Sequence, residues 1–219
     1  MKQQYTYSID SGVSKNGISK TEKIHLTIAL LVLTLAFTIS FSGGLTGVEL
    51  ENFLRTFSLS FVAVGTAFLF HELAHRMVAR KYGCWAEFRM WPMGLMMALF
   101  FSFMGFVFAA PGAVMISGQI TEEQNGYISA SGPATNWLVG TLFLAGSYVL
   151  LINGHYLWVP LAFVCFINLF IGGFNLLPFG PLDGAKIFRW SVPNYILLVT
   201  AIVGTLIVGR FLGPLSIFI

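Results

Sequence analysis

Charged side chains are scarce in this chain. Asp, Glu, Lys and Arg account for 10% of its 219 residues, whereas an ordinary soluble domain has about 25%. Hydrophobic residues account for 56%, and they form successive uncharged runs of the length that a helix needs to cross a bilayer. The composition therefore excludes a sizeable soluble domain and predicts an α-helical integral membrane protein that lies in a lipid bilayer.

Cysteine is scarce too, and the excess of positive charge is small. The two cysteines, Cys84 and Cys165, support neither a disulfide framework nor a cysteine-based zinc site. The formal net charge is +3, and the Lys and Arg residues stand in short clusters beside the apolar runs rather than in a basic stripe. We therefore expect no nucleic-acid partner, and the oligomeric state stays open.

The apolar runs divide the chain into a tail and one membrane-embedded domain. Residues 1–23 are polar without a sustained apolar period, which predicts a flexible or weakly ordered tail. Residues 24–219 form the single domain, a bundle of about five spanning helices. These helices are predicted near residues 24–41, 54–82, 127–152, 156–178 and 194–217. A further uncharged run, residues 93–116, is long enough to span, but glycines and Pro111 interrupt it.

An H-E-x-x-H motif at residues 71–75 follows directly on the second apolar run. Because a helix advances about 100° per residue, His71 and His75 project from one face with Glu72 beside them. Two neutral imidazoles can hold Zn²⁺, which lowers the pKa of water to about 7, and a neighbouring carboxylate can take the proton. The alternative is a pair of interfacial histidines whose Glu72 is solvated or paired with Arg76. An ionisable trio at a membrane segment is costly and usually functional, which favours the metal site.

Asp183 is the obvious candidate for a third metal ligand. A catalytic zinc site has three protein ligands and an open position. Asp183 is the only acidic residue after Glu123, and the cations Lys186 and Arg189 follow it, which predicts the same side of the membrane as the histidines. Its position also suits the N-cap of a helix that starts at residue 185, and the two roles are compatible.

Three motifs in order resemble the site-2 protease family of intramembrane zinc metalloproteases. They are H-E-L-A-H at 71–75, G-P-A-T-N at 132–136 and N-L-L-P-F-G-P-L-D-G at 175–184. The resemblance implies one zinc per chain on His71, His75 and Asp183, with Glu72 as the catalytic base. It also implies that Asn136 and Asn175 lie beside the substrate, although a membrane-buried Asn also commonly links helices.

The chain departs from this family's pattern at two points. The family often has a second glycine where Ala185 stands, and no PDZ-like insertion is present, so the chain looks like a minimal member. What the family implies is hydrolysis of peptide bonds within or near transmembrane segments, with a transmembrane-helix protein as substrate. The competing interpretation is a membrane metal-binding protein or transporter that uses the same ligands without hydrolysis. The clusters of Lys and Arg predict a multi-pass protein of the cell membrane whose active site faces the cytoplasmic side.

The three ligands also constrain the interrupted run. If residues 93–116 crossed the membrane once, Asp183 would lie about 30 Å from the histidines, too far for ligands at about 2 Å from one zinc. We therefore predict a re-entrant β-hairpin or broken loop near residues 86–118, buried by protein at membrane depth. It either pairs as a strand with the unwound substrate or acts as a plug that excludes lipid.

Overall fold

The five predicted spanning helices are present in the computed structural model, which describes residues 3–5, 17–43, 50–108 and 110–219. Within these described ranges, five helical segments are long and apolar enough to cross a membrane. The second is one continuous segment made of α2 (Leu50–Val64), a five-residue π-helical turn (Gly65–Leu69) and α3 (Phe70–Lys81). The segments are α1 (Lys20–Phe41), α2 (Leu50–Val64) with α3 (Phe70–Lys81), α5 (Glu122–Ile152), α6 (Trp158–Asn175) and α8 (Val192–Leu212).

Capping residues place the starts of two helices earlier than hydropathy does. The Ser19 side chain accepts a hydrogen bond from the Glu22 backbone N–H, so α1 begins inside the predicted tail. Thr121 and Gln124 form a reciprocal capping box, so α5 begins at Glu122 rather than near residue 127. Polar first turns are typical of capped helices, and a search for apolar runs passes over them.

The segment predicted to re-enter the membrane, near residues 86–118, forms two strands around a short helix. Strand β2 (Trp85–Met90) leads into α4 (Pro92–Ser102), and β3 (Gly112–Ile120) returns antiparallel to β2. The 11 residues of α4 rise only about 16 Å, too little to cross a bilayer. Trp85 pairs with Ser117, so the two ends of this segment lie side by side. The prediction of a hairpin rather than a sixth spanning helix is confirmed.

A buried ion pair joins α1 to α3, and two hydrogen bonds join α1 to the hairpin. Glu22 on α1 is fully buried; its Oε1 lies 2.9 Å from Arg76 Nε on α3 and accepts a hydrogen bond from the Phe88 N–H of β2 at 3.1 Å. His25 Nδ1 accepts from the Met90 N–H at 3.4 Å. Two side chains of α1 therefore satisfy N–H groups along the outer edge of β2.

The predicted tail lies largely outside the described residues, and its flexibility stays a prediction. A short strand, β1 (Gln3–Tyr5), pairs antiparallel with Gly118–Ile120 at the far end of β3. Gly17 lies near α3, where its carbonyl accepts hydrogen bonds from Arg76 and Arg80. Both cysteines are buried and free.

Candidate metal centre

Two helices bring three metal-ligating side chains together. The N-terminal part of α3 carries His71 and His75, and Asp183 is the first residue of a short helix, α7 (Asp183–Trp190). All three are buried, and one ligand atom of each lies within 4.8 Å of the others. Asp183 Oδ2 lies 3.2 Å from His71 Nε2 and 2.9 Å from His75 Nε2, and the two Nε2 atoms are 3.0 Å apart. The three residues predicted as ligands therefore form one cluster.

The hydrogen bonds of the two imidazoles show that the cluster fits a cation. His75 Nδ1 lies 2.7 Å from the Ile128 carbonyl, and His71 Nδ1 contacts Asn136 Oδ1. Both partners are acceptors, so each Nδ1 carries the ring proton and each Nε2 presents a lone pair. Three acceptor atoms thus converge without a proton between them, an arrangement that a cation stabilises. Ligands of one tetrahedral zinc lie about 3.4 Å apart, close to the separations observed here.

Space for the ion comes from Gly132 on α5. A Cβ atom at this position would lie 2.5 Å from His75 Nε2 and 2.6 Å from His71 Nε2. Pro133 follows within the same helix and removes one backbone donor there. The Gly-Pro pair therefore lets α5 pass directly beside the two nitrogen ligands.

Asp183 is oriented by a neighbouring cation. Its Oδ1 atom lies 3.3 Å from Lys186 Nζ, and its Oδ2 atom faces the two histidines. The N-cap of α7 is Leu182, not Asp183, so the alternative N-cap role is wrong.

Glu72 stands beside the cluster without being part of it. The side chain is buried, and its Oε2 has no hydrogen-bond partner among the described residues. Arg76 pairs with Glu22 instead, so the structure gives no support to the alternative in which Glu72 is neutralised by Arg76. A buried carboxylate oxygen without a partner, next to a metal ligand, is free to exchange a proton with a molecule in the site.

The two asparagines occupy different surroundings. Asn136 on α5 is fully buried, contacts His71 through Oδ1 and donates from Nδ2 to the Ala67 carbonyl at 2.7 Å. Asn175, the last residue of α6, lines the cavity described below and donates to the Ile171 carbonyl at 3.0 Å. Substrate contact stays a prediction for both, and the contacts of Asn136 give it a further role as a partner of His71.

A cavity of about 510 Å³ opens onto the cluster. Its walls come from the cluster itself, from the ends of β2 and α6, and from the first half of β3, including Ala113, Val114, Met115 and Ile116. Most of these residues are apolar, which suits a hydrophobic segment as ligand.

Sequence reasoning missed some of the residues around the site. Gly132 belongs to a recognised motif, but its role is visible only from the approach of α5. Asn168 on α6 is fully buried and lies next to Asn136. A polar residue inside the apolar run 166–170 is a signal that the sequence does contain, since polar groups in membrane helices are costly.

Comparison with known proteins agrees with this chemistry. No protein-family model matches the chain, and no solved structure matches it. The chain is 40% identical over 197 residues to a Methanocaldococcus jannaschii protein named "Putative zinc metalloprotease MJ0611". The matched region covers 89% of the chain and 94% of that relative. It is 26% identical over 169 residues to "Zinc metalloprotease MJ0392" of the same organism, and this match covers 76% of the chain but 41% of that relative. The chain therefore belongs to the zinc metalloprotease family that includes MJ0611.

Proposed function

We propose that the protein is an intramembrane zinc metalloprotease of the site-2 protease type, which hydrolyses peptide bonds within or near transmembrane segments. One observation carries the proposal: both histidines of the metal cluster lie inside a segment with the length and composition of a membrane span. His71 belongs to the candidate span Glu51–Lys81 and precedes its end by ten residues, a rise of about 15 Å. A bilayer core is about 30 Å thick, so the two histidines would lie within the membrane, toward the side on which α3 ends.

The residues present suit the hydrolysis of an amide. A zinc ion bound by His71, His75 and Asp183 would supply a Lewis acid that polarises the peptide carbonyl and activates water. Glu72 would receive the proton of the attacking water at its unpartnered Oε2 and pass it to the leaving amine. Burial of all four side chains keeps bulk water and lipid headgroups away from these transfers.

The hairpin offers a means of holding the substrate. A transmembrane helix has its carbonyls in internal hydrogen bonds, so the scissile segment must unwind, and its freed backbone groups then need partners. The outer edge of β2 is covered by Glu22 and His25. On the opposite edge of β3, only Gly118–Ile120 have a strand partner among the described residues. Residues 112–116 of β3, which line the cavity, would thus pair with an unwound substrate strand.

The activity is tested with the purified protein in vesicles and a panel of single-span membrane proteins. We expect cleavage within or next to the span, loss of cleavage with a zinc chelator, and recovery when Zn²⁺ is restored. The control is the same scissile sequence as a soluble peptide, which should be cleaved much more slowly. Zinc-dependent flux of metal ions into the vesicles without any cleavage would contradict the proposal and favour the transporter alternative.

A second arm of this experiment tests strand pairing. Proline at successive positions beside the cleavage site removes substrate N–H donors, and we expect cleavage to fall about tenfold at every second position, because alternate N–H groups of a strand face its partner. Alanine at the same positions is the control. Equal effects of proline at all positions would favour the hairpin as a plug that excludes lipid.

We also propose that the start of α1 and the end of α3, the helix that carries both histidines, are on the cytoplasmic side of the membrane. Lys20 and Lys23 begin α1, while Arg80 and Lys81 end α3, and such clusters mark the cytoplasmic side. Gly17 contacts Arg76 and Arg80, which holds these two ends together.

Labelling of single cysteines in intact cells tests this orientation. Lys81→Cys and Glu123→Cys should be protected from a membrane-impermeant thiol reagent, and Asn153→Cys, at the far end of α5, should react. All three positions are exposed, and the two native cysteines are buried. Reaction at both residues 81 and 123 with protection at 153 would reverse the orientation, and reaction at only one of residues 81 and 123 would disprove the re-entrant hairpin.

A further inference from the structure

A chain of hydrogen bonds runs from the metal ligand His71 into the bundle, and every donor along it points the same way. His71 Nδ1–H donates to Asn136 Oδ1, and Asn136 Nδ2 donates to Asn168 Oδ1 at 3.4 Å. Asn168 Nδ2 then donates to Thr66 Oγ1 at 3.0 Å, and the Thr66 hydroxyl donates to the Ala63 carbonyl at 2.9 Å. The chain therefore ends on a backbone carbonyl, which can only accept.

This polarity fixes the direction of the Asn136 amide. If the amide were turned over, its NH₂ group would face the Nδ1–H of His71, and its oxygen would face the Ala67 carbonyl and Asn168 Oδ1. Donor would then meet donor and acceptor would meet acceptor in a fully buried place, which costs several kcal/mol in an apolar medium. Asn168 and the Ala67 carbonyl thus hold Asn136 Oδ1 toward His71.

The direction of Asn168 is fixed in turn. Its Nδ2 also donates to the Val164 carbonyl at 2.9 Å, so both hydrogens of the amide are used. Thr66 donates to carbonyls of its own helix, so it presents only a lone pair to Asn168. Thr66 and Ala67 both lie in the π-helical turn that precedes α3. π-Helical turns are frequent at functional sites. Here the turn supplies two hydrogen-bond acceptors, Thr66 Oγ1 to Asn168 and the Ala67 carbonyl to Asn136.

We propose that Asn168, anchored by Thr66, is a positioning residue for the zinc site: it holds Asn136, and through Asn136 it holds the tautomer and ring orientation of His71. Neither residue touches the metal. Their effect is on the Nε2 lone pair, which stays aimed at the ion because Nδ1 must keep its proton. The inference rests on the metal-binding part of the proposed function and is independent of what the substrate is.

The test measures metal binding rather than turnover. The variant Asn168→Leu should bind Zn²⁺ about tenfold more weakly in competition with a chromophoric chelator, the lower end of the range for partners of metal-bound histidines. With Co²⁺ in place of Zn²⁺, its visible absorption bands should shift in position or intensity, because a rotated imidazole changes the ligand field. The control is Ser147→Ala, which removes another buried α5–α6 hydrogen bond, from Ser147 Oγ to the Trp158 carbonyl. It should bind both metals like the parent protein.

A double-mutant cycle with Thr66→Val separates positioning from general stability. Thr66→Val keeps the shape and removes the acceptor, and it should weaken Zn²⁺ binding by about threefold, less than Asn168→Leu does. The double variant should bind no more weakly than Asn168→Leu alone, since residues in one network do not add. If Asn168→Leu does not fold, Thr66→Val and its Co²⁺ spectrum decide alone. Zinc affinity within twofold of the parent and an unchanged Co²⁺ spectrum in the folded variants would overturn the proposal.

Discussion

Glu72→Gln should lose peptide-bond hydrolysis and keep its zinc. Glutamine has the shape of glutamate but cannot accept the proton of water, so we expect the cleavage rate of a single-span substrate to fall by about 10³-fold. Glu72 is not among the three clustered ligands, so the zinc content measured by elemental analysis should stay near one ion per chain. The contrast between the two measurements is what identifies a base rather than a ligand.

The matched control for this variant is Glu72→Asp. It keeps the carboxylate but withdraws it by one methylene, so part of the activity should remain. Cleavage by Glu72→Gln at a rate within tenfold of the parent would show that another group takes the proton. Loss of zinc together with activity would instead place Glu72 among the metal ligands.

Gly132→Ala should lose the metal itself. The added methyl group would lie about where the ion must bind, 2.5 and 2.6 Å from the two Nε2 atoms. Both of those atoms belong to α3, whose histidines are held in place by Ile128 and Asn136. Neither helix can withdraw without breaking these contacts. We expect zinc affinity to fall by at least about 100-fold, the upper end of the range for changes around a metal site, as measured by chelator competition.

Gly146→Ala provides the control on the same helix. Its added methyl group would meet only the end of the Leu161 side chain, at 3.1 Å, and a leucine methyl can move aside. This variant should keep the full zinc content and its thermal midpoint within a few degrees. Full zinc occupancy in Gly132→Ala would show that α5 shifts freely, and the close approach of Gly132 would then have no role in metal binding.

The clustering of the three candidate ligands was predictable because it depends on local geometry and on motif order. The spacing of His71 and His75 places them on one helical face wherever the helix lies, and Asp183 is the only acidic residue after Glu123, a choice that the resemblance supports. Together they also predicted that residues 86–118 do not cross the membrane, against what hydropathy alone indicates. The pairing of Trp85 with Ser117 then confirmed the hairpin.

What the sequence did not reveal depends on contacts between distant residues. Nothing near Asn168 indicates that its amide faces Asn136, 32 positions earlier in the chain, because the contact arises only when α5 packs on α6. The same holds for Gly132, whose small size matters because α3 passes beside it. Hydropathy likewise placed the start of α5 too late, since Thr121 and Gln124 begin that helix with polar residues.

The π-helical turn at Gly65–Leu69 sets the rotational phase between the two halves of a long helix. Such a turn adds about one residue to the local repeat, so everything after it is rotated by about 100° relative to a regular helix. Before the turn, α2 contacts α1 and α6; after it, α3 contacts α5 and presents both histidines to Gly132. A relative that lacked one residue here would keep the same hydropathy and the same motif, yet its histidines would face a different neighbour. The number of residues between Val64 and Phe70 is thus as much a part of the metal site as their identity.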